Sequence, residues 1–249
     1  MQLANRLLDN RTDAPVLECL AGARLRVLAP VQMALSGFGH AHAWMAQPGE
    51  IVEITAAAPG VWSYLALPGG VDAPRWLEST SVCLRAGIGS ALAKNANIAC
   101  VSDPLGAWRA GIVRRYPDIS LADTGSPLHD DPLAVGALPI RLWPGPQWAQ
   151  FSAQAKKSLC AQTWQVSRQS DRSGYRLEGE PLSVPDRELF SEPVRIGTLQ
   201  VPPDGQPIVC LNDGPTVGGY PKIAVIDPLC LRLLVQTQPG STVRFTLAS

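Results

Sequence analysis

The sequence has no C-x-x-C pair, no apolar run near the ~20 residues that span a bilayer, and no surplus of either charge. Six cysteines, Cys19, Cys83, Cys100, Cys160, Cys210 and Cys230, lie scattered through 249 residues. In a chain of this size such spacing predicts reduced thiols in apolar positions and a cytosol-like compartment. Met1 to Leu8 carries Arg6 and breaks off at Asp9-Asn10, a pattern unlike a secretory leader. The chain is therefore expected to be soluble and cytoplasmic. The 21 basic and 21 acidic side chains cancel without forming a basic stripe, so neither nucleic acid nor membrane is an expected partner. There is no G-x-S-x-G, H-E-x-x-H or G-x-x-x-x-G-K-[ST] pattern. Gly87-Ile88-Gly89 lacks the third glycine and the following helix of a dinucleotide loop.

Histidine is scarce, and its one cluster is His40-Ala41-His42. On a strand the two imidazoles would share a face, yet no third ligand stands near, and zinc ordinarily takes at least three. They read as polar residues of a loop beside Trp44, and no metal site is expected.

What the chain does have is 46% apolar residues, 22 glycines and 23 prolines without a repeat period. That composition predicts a packed, mainly β protein of short strands and tight turns. Leu3, Leu7 and Leu8 predict a first helix that ends at Asn10. Extended pieces follow at Arg24–Leu28, Glu50–Ile54 and Val61–Leu67, with Pro48-Gly49 and Pro68-Gly69-Gly70 as turns. An Asp-, Pro- and Gly-rich stretch at about 102–139 reads as a loop-rich connection closing an N-terminal β lobe, 1–139.

The second lobe, 140–249, opens with a strand at Ile140–Trp143. Trp148, Phe151, Ala155 and Leu159 predict one face of a helix. Strands are expected at Thr163–Ser167, Tyr175–Glu178, Gln206–Leu211, Lys222–Ile226 and Thr242–Leu247. Asp227-Pro228 supplies an N-cap and first-turn pair for a helix through Leu234.

Three polar loops of this lobe, between 168 and 222, are the candidate site. The first, Arg168 to Arg176, holds three arginines, whose planar forks suit carboxylate or phosphate, with Asp171 placed to hold Arg172. The second runs from Gln200 through Asp204 and Gln206 to Pro207. The third, from Asn212 to Lys222, offers Asp213 as a base, Thr216 as a hydroxyl and Gly218-Gly219 as close-approach backbone. Convergence on one pocket is the expectation; three ordinary charged turns are the plain alternative.

Several long motifs occur in a fixed order: Tyr64-Leu65-Ala66-Leu67-Pro68-Gly69-Gly70-Val71-Asp72, Leu84-Arg85-Ala86-Gly87-Ile88-Gly89, Pro144-Gly145-Pro146-Gln147, Ser170-Asp171-Arg172-Ser173-Gly174-Tyr175-Arg176, Gly197-Thr198-Leu199-Gln200-Val201-Pro202-Pro203-Asp204-Gly205-Gln206-Pro207 and Gly218-Gly219-Tyr220-Pro221-Lys222. Through them the chain resembles the family of the 5-oxoprolinase C subunit, also described as biotin-dependent carboxyltransferase-like or allophanate hydrolase subunit 2-like. Members carry a further segment ahead of the helix that here begins at Met1, so the chain reads as N-terminally short. The family's Asp-x-Gln-Thr-Thr-Gly-Gly-Tyr-Pro stands here as Asp213-Gly214-Pro215-Thr216-Val217-Gly218-Gly219-Tyr220-Pro221.

The resemblance implies two cyclophilin-like β-barrel lobes with a few short helices. It also implies the 5-oxoprolinase B subunit as a partner, together with the A subunit, and ATP-dependent opening of 5-oxo-L-proline to L-glutamate. Mg-ATP would bind at the interface shared with the B subunit, with no metal site in this chain. It places Arg172, Asp213 and Lys222 in catalysis. Arg168, Tyr175, Gln200, Asp204, Gln206, Thr216, Gly218, Gly219 and Tyr220 would contact substrate, the tandem glycines offering N–H groups to developing oxyanion charge. Two other readings accompany it: a carboxyltransferase-like protein acting on a urea or amide with a biotinylated partner, and a non-catalytic modulator of a sensor kinase. The chain itself has no Ala-Met-Lys-Met biotinyl motif.

Overall fold

A computed structural model describes residues 1–20, 22–37, 40–54, 60–102, 137–186 and 189–248. The chain divides into two compact units, Met1–Ser120 and Leu121–Ser249. Most of the connection expected at 102–139 lies outside the described residues.

In the first unit, α1 (Gln2–Leu7) packs on a four-stranded sheet. Its strands are β1 (Leu17–Leu20), β3 (Val31–Gly37), β4 (His40–Ala46) and β6 (Trp62–Ala66), in the order β1-β6-β3-β4. A separate ribbon pairs β2 (Ala23–Arg26) with β5 (Ile51–Ile54). Apolar residues of both, among them Met33, Leu65, Val52 and Ile54, share one core. α1 ends at Leu7, and Asn10 beyond it has a tertiary role: its side chain donates to the Leu67 carbonyl at 2.8 Å and accepts from Gly69 N–H at 2.7 Å. Two expectations are corrected here. His40–His42 is strand, paired along its length with β3, and His42 stacks on Trp44, two residues on and on the same face. Among the described residues the strands of this unit form an open sheet and a ribbon, so no second closed barrel is present.

The second unit is a closed seven-stranded barrel with short helices. In chain order it comprises β7 (Leu138–Pro144), a 3-10 turn (Trp148–Gln150), α2 (Ala153–Ala161), β8 (Thr163–Val166), β9 (Gly174–Glu178), β10 (Glu192–Pro193), β11 (Thr198–Gln200), β12 (Ile208–Cys210), β13 (Val217–Gly218), β14 (Lys222–Ile226), α3 (Pro228–Leu234) and β15 (Thr242–Leu247). The barrel order is β11-β12-β9-β8-β15-β7-β14, closed by β14 on β11, and only β7 and β15 pair in parallel. Leu138, Ile140, Leu142, Trp164, Leu177, Leu199, Val209, Ile223, Val243 and Phe245 are all buried. Side-chain alternation on short strands puts such residues on one face, and closure turns that face into a core.

Local chemistry sets the helix ends. Asp227 accepts from Leu229 N–H at 2.8 Å, and Pro228 supplies the first turn, as the sequence predicts. The helix expected from Trp148 starts later, because Phe151 is extended and Ser152 is the cap, accepting from Ala155 N–H at 3.0 Å.

Candidate functional site

The barrel's connectivity builds the site. β9 pairs with β12 so that Gly174 faces Cys210 and Arg176 faces Ile208; β11 pairs with β14 so that Gln200 faces Lys222. The chain therefore leaves β9 at one rim and re-enters β11 at the other. It likewise leaves β12 at one rim and re-enters β14 at the opposite one. Both crossings run along the outer wall of the barrel, and there they pair as the antiparallel ribbon β10–β13, Glu192 against Gly218.

Under this ribbon the outward face of β11, β12 and β14 is buried and polar. Leu199 and Val209 point into the barrel, so alternation sends Gln200 and Cys210 outward, yet both are buried. Lys222, 2% exposed, donates from Nζ to Glu192 Oε1 at 2.8 Å and to the Gly218 carbonyl at 3.3 Å. Gln147 donates to the same Glu192 oxygen at 2.7 Å and accepts from Lys222 N–H at 3.0 Å. These donors hold the Glu192 carboxyl below its usual range, the Lys222 hydrogen bond being the largest cause. A two-residue ribbon is thus fastened by an ion pair with one buried partner.

Gln200 completes the cluster. Its Oε1 accepts from the Cys210 thiol at 3.3 Å, while its Nε2 is buried without a hydrogen-bond partner. A side-chain carbon on Gly218 would lie 3.0 Å from that nitrogen and 3.3 Å from Val194 Cγ2, so glycine is what lets the ribbon close over the amide. Burial pushes the Cys210 thiol up to about 11 despite the nearby Lys222 charge, so at neutral pH it is a protonated donor. Cys83 is exposed. Alkylation of the native chain at pH 8, followed by peptide mass spectrometry, is expected to label Cys83 first and Cys210 last; early labelling of Cys210 would contradict the buried thiol.

Beside the cluster lies a surface depression of about 500 Å³, lined by Val194, Arg195, Ile196, Cys210, Leu211 and Thr216 among others. Its rim is the end of the barrel where the β8–β9 turn meets the loop after β12. There Arg172 reaches Asp213, Nε to Oδ2 at 2.9 Å, and Asp213 N–H donates to the Arg172 carbonyl at 3.1 Å.

The chain matches the model of the carboxyltransferase domain, subdomain A and B, over residues 1–247. It belongs to that family. Within the carboxyltransferase family, it is 32% identical to the 5-oxoprolinase C subunit of Escherichia coli, covering all of this chain and 80% of that one. Identity to the Haemophilus influenzae protein of the same name is 30%, with the same coverage. Among solved structures, TTHA0988 superposes with a TM-score of 0.78 at 33% identity, over 98% of this chain and 48% of that one, so this chain spans about half its length. The Kluyveromyces lactis urea carboxylase, at 21% identity and a TM-score of 0.73, shares the fold over 24% of its own length.

The family motifs do not all meet. Gln200, Gly218 and Lys222 come together under the ribbon. Arg172, Asp213 and Thr216 gather at the depression's rim, with Arg168 exposed in the β8–β9 turn at the same end. Asp171, next to Arg172, caps its own turn by accepting from Ser173 N–H at 2.8 Å. The loop after Gln200 turns at the opposite end of the barrel, so the three loops do not form one pocket: the chain runs back along the wall after β9, which makes β11 parallel to β9 and puts its turn into β12 at the far rim. Within it Asp204 accepts from Gln206 N–H at 3.0 Å, and the Gln206 amide brackets Gly179, donating to its carbonyl at 2.9 Å and accepting from its N–H at 3.0 Å. Tyr175 is buried, and its hydroxyl donates to the Val235 carbonyl at 2.8 Å. Gly219 and Tyr220 are exposed on the ribbon's exit.

Sequence reasoning missed Gln147, Glu192 and Cys210. Gln147 had a signal, as the last residue of the Pro144-Gly145-Pro146-Gln147 motif. Glu192 had none, because a two-residue strand carries no period.

Proposed function

We propose that the chain is the C subunit of an ATP-dependent 5-oxoprolinase. It would act in the cytoplasm with homologues of the B and A subunits, and its closed barrel would be a cyclophilin-like lobe. The reaction would convert 5-oxo-L-proline, ATP and water to L-glutamate, ADP and phosphate. The observation that carries this reading is the origin of the buried cluster. Four of its residues come from the segments through which the chain resembles that family: Gln147 from Pro144–Gln147, Gln200 from Gly197–Pro207, and Gly218 and Lys222 from Gly218–Lys222.

The chemistry suits such a surface. A lactam carbonyl is a poor electrophile, and phosphorylation of its oxygen makes it a better one; the protein's share is then positioning and charge neutralisation. Lys222 and Arg172 are already matched by Glu192 and Asp213. Their part is to hold the ribbon and the rim loop in place, with Arg168 and Arg195 exposed toward the same end of the barrel to meet anionic groups. Mg²⁺ would arrive with the nucleotide. Among the described residues no group of three or more His, Cys, Asp or Glu is placed to hold a metal ion.

Co-expression with the B and A homologues is expected to give a complex that hydrolyses ATP only when 5-oxoproline is present. Arg172→Ala should abolish that turnover, since it frees Asp213 and the loop behind it. A stable complex with no 5-oxoproline-dependent hydrolysis would sink the reading. Turnover supported instead by a biotinylated carrier would transfer the assignment to the carboxyltransferase type.

A further inference from the structure

Behind the depression lies a buried amide nitrogen that has no hydrogen-bond partner among the described residues. Cys210 lines the depression and donates to Gln200 Oε1 behind it, and Val194, which also lines it, lies with Gln200 Nε2 around Gly218. Gln200 is 4% exposed, and its Nε2 is one of only two buried side-chain polar atoms without a partner among the described residues. A buried donor left unmet is a standing cost, so a group that brings an oxygen to it gains more than an ordinary hydrogen bond provides. Among the described residues Arg195 is the one charged residue lining the depression. Val194, Ile196 and Leu211 add apolar wall, and Thr216 adds a hydroxyl. The volume, about 500 Å³, falls within the range of small-molecule sites.

We propose that this depression binds a small molecule carrying a carboxylate and a carbonyl oxygen, the carboxylate paired with Arg195 and the carbonyl oxygen accepting from Gln200 Nε2. Cys210 is the gate. Its thiol is small and protonated, and rotation about its side-chain bond opens the path to the amide without breaking a strand. Gln200 is then the donor that distinguishes a ligand with a carbonyl at that point from one without. The choice of 5-oxo-L-proline as the probe rests on the function proposed above; the site itself rests on the orphaned amide, the cation and the cavity.

The test uses the full chain labelled with ¹⁵N, titrated with 5-oxo-L-proline and, in parallel, with 2-pyrrolidone, which keeps the lactam and lacks the carboxylate. The side-chain amide signal of Gln200, assigned by its loss in Gln200→Met, is expected to shift saturably with 5-oxo-L-proline. Gln200→Met and Arg195→Gln should each weaken binding at least tenfold, and 2-pyrrolidone should bind at least tenfold more weakly than 5-oxo-L-proline. Arg195 is exposed, so its variant tests the site even where Gln200→Met fails to fold. Absence of saturable binding, or unchanged affinity in Arg195→Gln with an unmoved Gln200 amide, overturns the proposal. The two readings separate cleanly. Turnover by the complex with Gln200→Met unaffected removes this site and leaves the function, whereas binding at Gln200 without turnover by the wild-type complex does the reverse.

Discussion

Glu192→Gln is expected to destabilise the protein by about 3 kcal/mol, and by more than Lys222→Met does, although both break the same ion pair. The asymmetry comes from burial. The Lys222 side chain is 3% exposed and that of Glu192 is 39% exposed. Removing the carboxylate strands an ammonium against two carbonyls in a place water does not reach. Removing the ammonium leaves a carboxylate that can turn to solvent and still accepts from Gln147. The cost sits at the lower end of the range for broken buried pairs, because Glu192 is partly hydrated already. The double variant should recover much of the loss, since the barrel wall then needs no charge there at all.

The pH dependence follows from the same pair. Glu192 is held below the ordinary glutamate value in the folded chain, so its contribution is fully present above that ordinary value. It is lost as pH falls through the lowered one. Urea denaturation of wild type and Glu192→Gln should therefore show a gap at neutral pH that closes in acid. A constant gap, or a larger effect from Lys222→Met, would contradict the assignment of the buried partner.

Gly145→Ala is the second large effect, at about 3 kcal/mol, and it acts through backbone rather than side chain. Gly145 lies just after β7, where its N–H donates to the Ile223 carbonyl at 2.9 Å. An added Cβ would meet the Lys222 carbonyl oxygen, Ala224 N at 2.8 Å and the Ile223 carbonyl carbon at 2.9 Å. All three are backbone atoms of β14, so no rotamer change relieves them. Either β7 moves away from β14, or the turn that carries Gln147 swings out and gives up both its bonds to the cluster. Denaturation reports the first outcome, and loss of 5-oxoproline-dependent turnover at retained fold reports the second. A variant as stable and active as wild type would show that the approach is looser than described.

The same turn shows how far local patterns reach. Asp227-Pro228 and the alternation in Thr242–Leu247 specify α3 and β15 almost to the residue, because caps and period-two burial are set within a few positions. Trp148, Phe151, Ala155 and Leu159 share helical spacing, but Ser152 offers a better start, and the helix begins there. His40–His42 looked like loop because the histidines interrupt an alanine-rich run that is a weak strand former by composition; pairing with β3 overrides that preference.

What the amino-acid order determined alone is the mainly β character, the Asp227-Pro228 cap, most second-unit strands and the motifs that mark the family. Each of these depends on neighbours a few residues apart or on identities that survive alignment. Which polar residues meet was decided only by closure of the barrel. Gln200, Lys222, Gln147 and Glu192 lie far apart in the chain, and two of its segments must run back along the outer wall to bring them together. The same return along the wall sets β11 parallel to β9, so the Asp204–Gln206 turn and Arg172 are kept at opposite rims by topology, however similar their loops look in sequence.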